Sequence, residues 1–312
     1  MLARIAHELF WLGRNLVRAE HTARMLDGVF QADLQARPED PSVVNLSWGA
    51  LLHIMGGATD NGELPHRDAV LGALTLDPEN PASVVACVTR AREGGRAVRD
   101  VISAEMWESL NTMNLTLREG DLSARLRIGP YSVYQYVKER SALFWGLTAR
   151  TMLRDEASAF LEAGGRMEAG DMVLRMLRVG LPVAGSTGAS DGQALALLQA
   201  VGGFQAFRRA VPAPAHAAPV AHFLLFERAY PDSVAAAVDA LQAALERADA
   251  SPRESGPVLR LSRLSADLEF RRRAQADDTD LVATCETVQR ELGLVDRDVA
   301  ERYFAGAAGP LS

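Results

Sequence analysis

The stretch LFWLGRNLVRAEHTARML, from Leu9 to Leu26, returns as FLEAGGRMEAGDMVLRML, from Phe160 to Leu177, shifted by 151 residues. Under that shift Gly13 falls on Gly164, Leu16 on Met167, Glu20 on Asp171, Arg24 on Arg175 and Leu26 on Leu177. Glycine, carboxylate and arginine recur in order on one apolar frame. This predicts two long helices of one design, over about residues 2–27 and 154–178, at the centre of an all-α bundle.

In the first helix Leu2, Ile5, Leu9, Leu12, Leu16, Ala19, Ala23 and Leu26 are spaced three and four apart, which makes one continuous packing seam. On a helical wheel Glu20 lies inside that seam and Arg18 points the other way. Asp171 lies inside the second seam, made of Phe160, Ala163, Met167, Gly170, Leu174 and Leu177. One carboxylate per repeat is therefore expected to face inward, and each needs a cation or hydrogen-bond donor opposite it, because burying it alone costs several kcal/mol. Arg140 is a candidate partner: it falls in the middle of an apolar arc formed by Val133, Tyr136, Val137, Leu143, Phe144 and Leu147.

With 312 residues, 48% of them hydrophobic, the chain could hold two domains by length, but a repeated helix frame favours one large bundle over residues 1–312. The net charge of −7 and the lack of a Lys/Arg-rich run argue against nucleic acid or an anionic membrane as a partner. The first residues already belong to an amphipathic helix containing Glu8, and no stretch of about 18 apolar residues occurs, so a cytoplasmic protein is expected.

Further helical segments are expected at Pro41 to Met55, Arg67 to Leu76, Ser83 to Ser103, Ala104 to Leu115, Gly129 to Thr151, Ala194 to Arg209, His222 to Arg228, Asp232 to Ala248, Gly256 to Arg273 and Asp278 to Phe304. Asp232 and Asp278 are placed to act as N-caps. The strings GGATDNGELP and VGLPVAGSTGASDGQ break the chain, and VPAPAHAAP reads as a stiff connector. No alternating β pattern of useful length is present.

Catalytic signatures are missing: there is no glycine-rich phosphate loop, paired-histidine helix motif, Cys-x-x-Cys or nucleophile-elbow serine. No metal or other cofactor is expected, since His7 and His21 lie about 21 Å apart along one helix and no other histidines pair at ligand spacing. Cys87 fits a seam with Val84, Ala91, Gly95, Val98 and Ile102, and Cys285 fits one with Leu281, Val288, Leu292, Val295 and Val299. Both read as small buried hydrophobes. Arg92 and Arg99 share one flank of the Cys87 seam and form either a salt-bridged face or an anion-binding flank. Arg154, Asp155 and Glu156 form either a helix-opening turn or part of a polar cleft. Gly13 and Gly164 are read as close-packing points.

FWLGRNLVRAEHTARMLD, TRAREGGRAVRDVISAEMWESLN, VKERSALFWGLTARTMLRDEASAFLEAG and FLLFERAYPDSV, followed by AERYF, resemble the bacterial Alpha-E family nearly end to end. That family is all-α and named for a helical Glu-Arg motif. Here Val17 stands where the motif has its glutamate in the first repeat, while Arg18 and Glu20 remain. In the second repeat Glu168 and Asp171 remain but Ala169 stands in place of the arginine, so one Glu-Arg pair is split across two helices. The resemblance also implies a setting beside circularly permuted ATP-grasp proteins and transglutaminase-like proteins, and hence peptide or amide-bond metabolism.

Three readings of function follow. The first is a non-catalytic accessory protein that binds an ATP-grasp peptide ligase or its product. The second is an enzyme whose Arg18, Glu20, Arg140, Glu168 and Asp171 form a polar cleft for peptide or amide chemistry. The third is a structural module that oligomerises with itself through an apolar face.

Overall fold

A computed structural model describes residues 1–35, 47–56, 66–119, 121–180, 191–274 and 278–305. These residues form fourteen α-helices and no strand. In chain order they are α1 (Ala3–Gln35), α2 (Trp48–Ile54), α3 (Arg67–Leu71), α4 (Val84–Ala97), α5 (Ala104–Glu119), α6 (Leu122–Ile128), α7 (Tyr131–Thr151), α8 (Glu156–Gly180), α9 (Asp191–Ala200), α10 (Phe204–Ala210), α11 (Ala217–Phe226), α12 (Val234–Ala248), α13 (Gly256–Ala274) and α14 (Asp278–Tyr303). A wider π turn, Gly72–Leu76, extends α3. The expected helix start at Pro41 and the two breaks around 57–65 and 181–190 lie outside the described residues. No helix among those described is long and apolar enough to cross a membrane.

The seam residues Leu9, Leu12, Leu16, Ala19, Ala23 and Leu26 of α1 are all buried, as are Phe160, Ala163, Met167, Leu174 and Leu177 of α8. Each large side chain buried this way contributes about 1.5–3 kcal/mol, which offsets the entropy of ordering helices this long. α1 and α8 lie side by side and run in the same direction: the Met1 ammonium meets Glu156 at one end, Gly165 faces Val17 further along, and Arg18 reaches Glu168 beyond that. Their contact is tight enough to exclude a β-carbon. A methyl on Gly13 would collide with the Leu161 carbonyl oxygen, and one on Gly164 with the Phe10 carbonyl oxygen. The two collisions are related by the 151-residue shift.

Helices α4 and α7 flank α1, while α12 and α14 flank α8. α4 and α12 open alike: the Ser83 hydroxyl accepts from Ala86 N and the Ser233 hydroxyl from Ala236 N, both at 3.1 Å. Ser233, not Asp232, is therefore the N-cap of α12. Its extended backbone lets the hydroxyl reach the first turn, whereas Asp232 lies one residue too early. The side chain of Asp278 lies outside the described residues. The helix expected over Ala194 to Arg209 is two helices, because Gly202 adopts φ +71° between α9 and α10, a conformation that suits glycine and ends a helix. One continuous set of buried apolar side chains runs from Ala6 to Phe304 and draws on both halves of the chain.

Candidate functional site

The most deeply buried charge is Glu168, fully enclosed on α8. Arg14 Nε donates to its Oε2 at 2.9 Å, Arg18 Nε donates to its Oε1 at 2.6 Å, and Arg18 Nη2 donates to Oε2 at 2.9 Å. Arg14 Nη1 also donates to Asp296 of α14 at 2.8 Å, and its guanidinium lies 4.7 Å from the Trp11 ring. Two guanidiniums and two carboxylates thus balance where α1, α8 and α14 meet. Burial alone would raise the Glu168 carboxyl, but Arg18 and then Arg14 outweigh it and hold it down at about 2. Burial likewise works against the charge on Arg18, and Glu168 more than reverses this, so the guanidinium is held above its ordinary value.

Arg18 therefore points inward, contrary to the expectation from the wheel. α1 is packed on several sides, so a direction opposite one seam leads into another interface. Glu20 and Asp171 are only partly buried, each about 15% exposed, and each pairs along its own helix. Arg24 Nη2 donates to Glu20 at 2.7 Å and Arg175 Nε to Asp171 at 2.7 Å, with Gln289 Nε2 also donating to Asp171 at 3.0 Å. Arg140 pairs with neither. Its guanidinium lies 5.4 Å from the Tyr136 ring, and its Nε is buried with no hydrogen-bond partner among the described residues. The partner expected across the bundle is supplied by the arginine four residues along the same helix, which lies within reach without crossing any interface.

On the opposite side of the α1/α8 pair lies a cleft of about 650 Å³, walled by α7 and α12 as well. Trp145, Val17, Gly165 and Ala169 are among its lining residues. Under the 151-residue shift these correspond to Asp296, Glu168, Arg14 and Arg18, the four members of the charge cluster. Where one side carries charged side chains, the other carries small or apolar ones, and the volume they leave is this cleft. Trp145 fits against Gly165 so closely that a β-carbon there would touch the ring at 2.8 Å. His21 also lines the cleft. It is 3% exposed and its Nδ1 has no hydrogen-bond partner among the described residues.

The Arg92 and Arg99 guanidiniums lie 5.2 and 5.3 Å from the Trp107 ring. Arg92 also donates to Asn111 Oδ1 at 3.2 Å and pairs with Glu93, so little of its hydrogen-bonding capacity is left for an anion. Asp155 Oδ1 accepts from Ala157 N and Ser158 N and opens α8, while Arg154 beside it lines the cleft. Cys87 and Cys285 are buried with all their seam partners, and burial pushes both thiols up to about 12. No group of three metal-ligating side chains occurs among the described residues.

Sequence reasoning brought Arg18 and Glu168 forward through the split motif but passed over Arg14, Asp296 and Trp145, and weighed His21 only as a metal ligand. The 151-residue shift carries the signal for Arg14, Asp296 and Trp145, since it pairs Arg14 with Gly165 and Asp296 with Trp145, a charged side chain against an uncharged one each time.

Against known proteins, residues 1–304 match a family described as a predicted alpha-helical domain with a conserved ER motif. The chain is 25% identical over 299 residues to uncharacterised proteins of Mycobacterium bovis and of two strains of Mycobacterium tuberculosis, covering 90% of this chain and 33% of theirs. It thus spans about a third of the length of these curated relatives. No solved structure matches. With that match over residues 1–304 of 312, the chain belongs to the Alpha-E family.

Proposed function

We propose that this domain is a non-catalytic helical accessory protein that works beside an ATP-grasp peptide ligase or a transglutaminase-like protein in peptide or amide-bond metabolism. The observation that carries this reading is the sealing of Glu168. A carboxylate held ionised by two guanidiniums has no tendency to take up a proton near neutral pH, so the most buried acid here is suited to joining helices and poorly suited to general-base work. Burial also keeps both cysteine thiols protonated, which makes them weak nucleophiles. The mycobacterial relatives support a partnered role, because in them the matching region is one part of a much longer chain. The matched contacts of α1 and α8, together with the alike caps of α4 and α12, support the further proposal that the two halves are copies folded as one unit.

The test is co-purification of the intact chain with a cognate ATP-grasp protein, together with calorimetry of the chain alone against ATP. Association with the ligase and no heat with ATP is the expected result. Micromolar ATP binding by the isolated chain, with no association, overturns the accessory reading.

A further inference from the structure

The cleft between α1, α7, α8 and α12 has a direction. At one end stand Arg154, Ser158 and Arg247, and at the other Glu20, His21 and Asp232; Arg166 also lines the cleft, its Nη1 donating to the Pro231 carbonyl oxygen at 3.3 Å. The helices fix this order: on α1 and α8 the lining residues advance together toward Glu20 and Ala169, while α7 runs back from Ala142 beside them to Met152 at the arginine end. Arg247 sits at the arginine end through its pair with Glu162. Arg154 and Asp232, at opposite ends, form no ion pair with any described residue. Between the ends the surface is the Trp145 indole with Val17, Gly165 and Ala169. The distance from Ser158 to Ala169 along α8 is about 16 Å.

We propose that this cleft binds a short extended zwitterionic peptide, its carboxylate at the Arg154 end, its ammonium at the Glu20 and Asp232 end, and its backbone laid along Trp145. A tetrapeptide extends about 13 Å, which places its two charges near the unpaired groups at either end. Trp145, seated on Gly165, offers a flat face for the peptide backbone, and the short side chain of Ala169 leaves room beside it. Charge-assisted bonds at both ends select length as well as charge, since only a ligand spanning the cleft satisfies both. This binding does not depend on the partnership proposed above, and an isolated chain suffices to test it.

The probe is a randomised tetrapeptide pool with free termini, compared by equilibrium dialysis and mass spectrometry with the same pool N-acetylated or C-amidated. Free peptides are expected to be retained, and either cap to reduce retention at least tenfold. Arg154 is exposed, so Arg154→Ala leaves the fold intact and is expected to abolish discrimination between acid and amide C-termini while preserving that between free and acetylated N-termini. Asp232→Asn is expected to do the reverse. Equal retention of capped and free pools, no retention of any pool, or discrimination unchanged in both variants overturns the proposal.

Discussion

Glu168 is where a single side chain most strongly governs stability. Glu168→Gln removes one charge and leaves Arg14 and Arg18 facing each other in a buried site, a change expected to cost about 3–5 kcal/mol and to lower the melting temperature visibly. Glu20→Ala and Asp171→Ala are different, since each removes one member of a partly exposed pair within one helix, and a loss of under about 1 kcal/mol is expected. Equal thermal losses for all three would show that the burial of Glu168 is not what matters. The pH dependence has a definite sign. The folded carboxyl is depressed to about 2 from an unfolded value of about 4.3. Its contribution is therefore fully present above the unfolded value and is lost as pH falls from there through about 2. Denaturant melts from pH 6 to pH 2 should show the wild type losing stability faster than Glu168→Gln over that window, and parallel curves would refute the ion pair as its source.

At the scale of the helix, the contact of α1 with α8 rests on two glycines. Gly164→Ala places a methyl against the Phe10 carbonyl, where neither backbone can give way without separating the helices, so a loss of at least about 1–3 kcal/mol is expected. Gly146→Ala on α7 meets open space and should gain about 0.5–1 kcal/mol through helix propensity. Opposite signs in paired thermal melts are the expected result, and a neutral Gly164→Ala would mean the two helices sit further apart. The close approach was legible in the sequence because Gly13 and Gly164 recur on one frame, and both cysteine seams were legible for the same periodic reason. What was not legible were helix ends set by single backbone conformations, such as Gly202 and the Ser233 cap. Nor was the route of each charge. A wheel gives a direction from one axis, but the neighbour waiting there is decided by the packing of other helices, as the inward turn of Arg18 and the isolation of Arg140 show.

For the whole molecule, the packing predicts how the halves come apart. α2 contacts α8 and α9 contacts α1, so short helices of each half lie on the long helix of the other, and the buried core passes between them without a gap. Separating the halves would expose the α1/α8 seam and strip partners from Arg14, Arg18 and Glu168 together, and neither half could hold that surface alone. Unfolding is therefore expected to be a single cooperative event. Cys87 on α4 and Cys285 on α14 report on it independently, one in each half, and both are fully buried with thiols pushed up to about 12. In native conditions both should react slowly with thiol reagents at pH 7, and both fast after denaturation. Labelled across a urea series and located by peptide mass spectrometry, the two sites should become reactive with the same midpoint and the same slope, because one opening exposes both. Two separated midpoints would show that the halves unfold as independent units, and a fast native reaction at either site would place that cysteine outside its seam.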